Sequence, residues 1–183
     1  MSYNVPSYET DRMSFGPGIL YMGAPGTTPE VDVGAVKGDY ELSFALSKLD
    51  VKAGSPQTKI KTYTLEEDLK IKGTLIEWDM NNLAYILGAG VTSMVGNQEI
   101  FEFGGDMDTN NRALRFVHRT PDGGTIDIHI FKAEGLGNLA LAMKETDMHE
   151  FPFEFNILEG TVDFENAALD DKKKKIKIIR TKA

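Results

Sequence analysis

Asp106, Asp108 and Asn110 stand at the odd-numbered spacing that opens a calcium-binding loop. The sixth position is Asn111 where such loops need glycine, and the twelfth is Val117 where they need a bidentate glutamate. An ordinary Asx-rich turn is the simpler reading. His129, with Asp127 and Arg115, has the residue types of an acid–base group. On alternating strands these three fall on one solvated face, and no nucleophile or substrate pocket is evident within hydrogen-bond reach. His118, His129 and His149 form no HExxH pair. The absence of cysteine removes disulfides, thiolate zinc sites and cysteine nucleophiles, and fits a reducing compartment. GAPGTTPEVDVGAVKG lacks the terminal Lys-Ser/Thr of a phosphate loop. No catalytic residue, metal site or cofactor is assigned, and the chain is not expected to be an enzyme.

Charge narrows the function classes further. The 183 residues carry 20 basic and 28 acidic groups, a net −8, and the length suits one domain. The last twelve residues, KKKKIKIIRTKA, hold seven bases and no acid, which leaves −15 on residues 1–171. A nucleic-acid reader needs a basic working face, and this body is the reverse. Lys172, Lys173, Lys174 and Lys175 have two readings: a solvated tail, or an arm that docks on the acidic body of a neighbouring copy. No apolar run approaches the ~20 residues of a membrane span, and MSYNVPSYETDRMS lacks the features of a secretory signal.

The elements that would position these groups are mostly strands. Residues 1–14 read as an arm, residues 15–160 as the folded domain and residues 161–183 as an extension with a basic end. Phe15 to Gly23 offers a short strand, and the segment from Ala24 to Asp39 reads as a loop. From Asp39, Tyr40, Leu42, Phe44 and Leu46 alternate with Glu41, Ser43, Ala45 and Ser47, the period of a half-buried strand, running on through Leu49 and Val51. Lys59–Leu65 and Asp68–Trp78 restart the pattern, with Gly73 as a candidate bulge. Asp79 is placed to cap the one clear helix, Gly88 to stop it, and Trp78 to form a hydrophobic staple with Leu83. A strand is expected at Glu99–Phe103. TPDGG joins RALRFVHR to TIDIHIFK in a hairpin. If Arg119 faces Thr125, Leu114, Phe116, Ile126, Ile128 and Ile130 share one face. NLALAMKE reads as strand or helix, Phe151–Leu158 as a strand, and Lys175–Arg180 as a short strand. The expected fold class is mainly β with one docked helix.

Four segments then occur in a telling order: GDYELSFAL, TLIEWDMNNLAYILGAG, DIHIFKAEG and EFPFEFNILEG. Together, over residues 15–160, they resemble the major tail tube proteins of long-tailed bacteriophages. The resemblance implies a β-sandwich or barrel-like tail tube fold with a flanking helix and extended terminal arms. It also implies six-membered rings of this chain stacked into a hollow, acidic-lined tube. Genomic DNA would pass non-specifically through the lumen. The tape-measure protein, tail terminator, baseplate or tip proteins and, in contractile tails, a sheath would be partners. The location implied is the virion tail, assembled in the host cytoplasm. Under this resemblance Glu41, Ser43, Ser47 and Asp127 are candidate lumen groups. The loop Val51–Thr58, with Ala53, Gly54, Ser55 and Pro56 at its centre, and Lys172–Lys175 are candidate ring contacts. The alternatives are a monomeric β-sandwich binding module, for example a carbohydrate-binding one with an exposed aromatic platform, and another tail component such as a terminator.

Overall fold

The alternation that begins at Tyr40 builds the longest ladder of the molecule. The computed structural model describes residues 18–105, 110–135 and 145–182. The arm at residues 1–14, the acids Asp106 and Asp108, and residues 138–144 lie outside them. Among the described residues the fold is mainly β and antiparallel, with a single helix. The strands are β1 (Gly18–Gly23), β2 (Val31–Asp32), β3 (Glu41–Ala53), β4 (Thr58–Leu75), β5 (Val91–Val95), β6 (Gln98–Glu102), β7 (Arg112–Arg119), β8 (Thr125–Gly135), β9 (Phe151–Ile157) and β10 (Ile176–Thr181).

The main sheet runs β2-β1-β7-β8-β9-β4-β3, with β10 on the β8 edge below β9. The segment expected to be a loop joins the β2 end to β4, at residues beyond the start of β3. Val31 and Asp32 pair with β1, and Val33 N–H donates to Leu20 at 3.0 Å. A few residues on, Lys37 N–H donates to Thr74 at 2.9 Å and Ile76 N–H donates to Ala35 at 3.0 Å. The sheet therefore closes into a small barrel, which removes most of its edges. Inside lie Leu20, Met22, Leu75, Leu114, Ile130, Phe151, Phe153 and Phe155, all nearly inaccessible to water.

Local chemistry accounts for the elements. The β7–β8 ladder adopts the expected register, Arg119 opposite Thr125 and Phe116 opposite Ile128, because a one-residue slip would turn the isoleucines outward. Gly73 is not a bulge: it pairs regularly with Phe153. A Cβ there would lie 2.8 Å from the Phe153 ring, so the glycine makes room for an aromatic side chain. The helix α1 (Met80–Leu87) is capped by Asp79, whose carboxylate accepts from Asn81 N–H at 2.7 Å and Asn82 N–H at 3.3 Å. Gly88, at φ 66, ends it in the left-handed region. Trp78 lies edge-on to Phe151 (4.6 Å) and His149 (5.9 Å), while Leu83 is buried in the barrel core. β5 and β6 form a separate two-stranded hairpin against the helix.

The residues after Gly160 are not a free extension. Phe164 stacks on His129 at 4.4 Å and meets Phe131 edge-on at 5.6 Å. Phe164, Phe131 and Ala113, with Leu169 packed against them, form a second apolar cluster, apart from the main core. Asp163 closes this lobe by accepting from Glu165 and Ala167 N–H, both at 2.9 Å. The chain then returns as β10 along β8, from Ile176 opposite Ile130 to Thr181 opposite Thr125. An apolar anchor and a strand ladder thus hold residues 161–182 to the barrel of their own chain.

Candidate assembly surface

β3 and β4 outgrow the barrel. Ile71 and Leu69 are buried, but on the same face Phe44 is 58% exposed and Leu46 53% exposed, so the core stops partway along the ladder. Beyond that point the hairpin is exposed on both faces. β4 is one continuous strand through Glu66, Glu67 and Asp68, where the sequence suggested two.

Two irregularities shape the projecting half. Ser47 faces Glu66 but Lys48 faces Thr64, which leaves Leu65 as an extra residue. Likewise Val51 faces Lys61 and Lys52 faces Lys59, leaving Ile60. Such bulges raise the local twist. The apolar face also changes sides. Leu42, Phe44 and Leu46 share the core-facing side with Leu69 and Ile71. Leu49, Val51 and Tyr63 lie on the opposite side, three residues out of phase. The alternation therefore does not simply run on through Leu49 and Val51. The other distal face is polar: Asp50 binds Lys59 at 2.7 Å and accepts from Thr62 Oγ1 at 2.8 Å. Hydrogen bonding to Lys59 and Thr62 holds the Asp50 carboxyl below the usual range.

Of the candidate lumen groups, Glu41, Ser43 and Ser47 do share a face, the outer side of the β3–β4 ladder, with Glu66, Asp68, Lys70 and Lys72. The acids there are partly matched: Lys72 meets Glu41 at 3.1 Å, and Lys70 meets Glu154 at 3.3 Å and Asp68 at 3.6 Å. Asp127 does not join them. It lies on β8, 16% exposed, bound by Arg115 and 3.1 Å from His129 Nε2, with Phe164 stacked on His129. Burial pushes its carboxyl up, but Arg115 and His129 outweigh that and hold it below the usual range. The face read as solvated is covered in part: Phe164 lies on His129 and Asp127 is ion-paired, while Arg119 stays exposed.

The candidate ring contacts divide in the same way. Ala53, Gly54, Ser55 and Pro56 are exposed at the tip of the hairpin. Lys173, Lys174 and Lys175 are engaged within the chain, at 2.8 Å from Asp170, 2.6 Å from Asp171 and 3.1 Å from Glu67. Lys172 is exposed. Lys173 and Lys174 thus pair with acids of their own loop, and only Lys175 reaches across to the barrel, at Glu67.

Residues the tip alone does not reveal are Phe44, Leu46, Leu49, Val51, Ile60, Tyr63 and Leu65, each at least 39% exposed. The signal for them was a three-residue step from Leu46 to Leu49 in an otherwise two-residue pattern. Among the described residues β3 also ends the sheet, so its outer edge offers unpaired backbone groups. A projecting ribbon with an open edge and apolar groups on both faces is suited to binding protein surfaces. Among the described residues, no group of three or more acids and histidines could hold a metal, and no helix is long and apolar enough to cross a membrane. No protein-family model matches the sequence, and no curated protein is significantly similar to it.

Proposed function

We propose that this chain is the repeating subunit of a phage tail tube, a structural protein rather than an enzyme. Its copies close into six-membered rings that stack into a hollow conduit for DNA. The reading joins the sequence resemblance to one observation: the β3–β4 hairpin leaves the barrel with an open edge and apolar side chains on both faces. Such a ribbon is an aggregation hazard in a monomer and becomes useful when a symmetric assembly covers it. The net charge of −8 suits a wall from which phosphate must slide freely. The proposed partners are further copies, the tape-measure protein, the terminator and the baseplate or tip proteins, with a sheath in a contractile tail. A glycan-binding module fits less well, because Trp78 is edge-on to Phe151 and His149 rather than part of a flat platform.

Electron microscopy of the purified protein across salt and concentration tests this reading. Rings or tubes with six-fold symmetry are expected. A species that stays monomeric in every condition would sink it.

A further inference from the structure

The projecting hairpin carries charge opposite in sign to the rest of the molecule. Residues 48–64 hold four lysines and one aspartate, a net +3, and the remaining residues carry −11. Lys52 and Lys59 stand directly opposite each other near the tip, an arrangement that is destabilising unless anions are close by. Asp50 answers Lys59. On the other face Lys61 lies over the Tyr63 ring at 4.6 Å, beside Leu49 and Val51.

At the opposite end of β3 is a cleft of about 780 Å³. Its apolar lining includes Tyr40, Phe116 and Ile19, and Asp32, Asp39 and Glu77 supply carboxylates. The Tyr40 and Phe116 rings meet edge-on at 5.3 Å. Burial, with the charge of Asp32 adding to it, pushes the Tyr40 phenol up to about 12. Tyr40 immediately precedes β3, so the hairpin begins at this cleft and leads away from it. At about 3.3 Å per residue, the strand carries its tip about 40 Å off. A chain therefore does not fill its own cleft.

We propose that the tip of the β3–β4 hairpin docks in the Tyr40–Phe116 cleft of a second copy. The tip enters between the walls of the cleft, so that Lys52 and Lys59 on one face meet Asp32, Asp39 and Glu77 while Val51 and Tyr63 on the other cover the apolar lining. The partner is chosen by chemistry: the carboxylates repel phosphate, and this hairpin is a basic, apolar segment whose own fold leaves it uncovered. The inference rests on the tube reading and deepens it. The contact is head-to-tail, so it propagates a stack rather than closing a dimer, with a repeat of about 40 Å set by the length of β3.

The cysteine-free sequence allows a direct test. Ser55→Cys and Asp39→Cys proteins are mixed, assembled and oxidised. A disulfide joining one variant to the other is expected, and neither protein alone should yield a comparable dimer. In the second arm, Lys52→Glu lowers the pelleted assembly at least roughly ten-fold, and Asp39→Lys in the same chain restores it. Circular dichroism and melting of Lys52→Glu confirm the fold, and Lys52→Gln gives a milder loss. Normal assemblies without the 55–39 link, or full assembly by Lys52→Glu, overturn the docking and leave the tube reading standing. Failure of the unmodified protein to assemble at all overturns both.

Discussion

The guanidinium of Arg115 holds the carboxylate of Asp127 across the β7–β8 ladder, its Nε 3.1 and 3.0 Å from the two oxygens. The pair is diagonal: Arg115 itself faces His129, and Asp127 faces Val117. Because the folded carboxyl titrates below its ordinary value of 3.8, its stabilisation is complete above that pH. It is lost as pH falls through the lower folded value. Asp127→Asn should cost about 1–3 kcal/mol at neutral pH, since it leaves a half-buried guanidinium poorly paired. Urea denaturation at pH 7 and again below 3.8 checks this. The gap between the two proteins should narrow in acid, and an unchanged gap would refute the pairing as its cause.

Tyr40 gives the opposite pH dependence. Its phenol titrates near 12 in the fold against 10.0 ordinarily, so its contribution is fully present below pH 10. It disappears as pH rises from 10 toward 12, where an unfolded chain releases the proton and the fold resists doing so. Ultraviolet titration of the unassembled protein should show one tyrosine ionising late, coincident with alkaline unfolding. Tyr40→Phe should remove that step. Persistence of the late step in the variant would assign it to another tyrosine.

Much of this fold was legible wherever one face of a strand or helix is buried. The β7–β8 register followed from isoleucines that tolerate only one side, and the helix from an Asp cap and a Gly stop. The continuity of β4 was hidden because Glu66, Glu67 and Asp68 interrupt any alternation; that stretch is held by its ladder to β3, not by a core. Barrel closure depends on a few backbone bonds from Val33 to Lys37, among glycines that otherwise signal a loop. Docking of the carboxy-terminal lobe turns on Phe164, a lone aromatic whose partners, His129 and Phe131, are more than 30 residues away. The tip of the candidate surface was readable as a turn. The change of apolar side showed only as the three-residue step from Leu46 to Leu49, and the extra residue at Leu65 did not show, because a bulge belongs to the pairing of two strands.

Gly135 fixes where the helix meets the barrel. A Cβ on this residue would fall 2.1 Å from the Ile86 carbonyl oxygen and 3.1 Å from its carbon. Those are backbone atoms, and no rotamer change relieves them. Gly135→Ala should therefore push α1 away from β8 and destabilise the protein by at least about 2 kcal/mol. Chemical denaturation measures the loss, and a variant as stable as the parent would mean that the helix is not seated as described.

Phe44 and Leu46 separate folding from assembly. They share a face with Leu69 and Ile71, yet the first pair is more than half exposed and the second pair is buried. Leu69→Ala or Ile71→Ala should cost about 2–5 kcal/mol, through lost transfer energy and the cavity left behind. Phe44→Ser with Leu46→Ser removes apolar surface that the monomer leaves in water, so each change should move its stability by less than about 1 kcal/mol. In an assembled tube the same two side chains would be covered, and their loss should prevent rings from forming. Melting temperature and sedimentation measured on the same samples distinguish the effects: an intact melt with no large species is expected. A double variant that assembles normally would show that this half of the ribbon faces solvent in the particle, and would confine the contacts between copies to Leu49, Val51, Tyr63 and the tip.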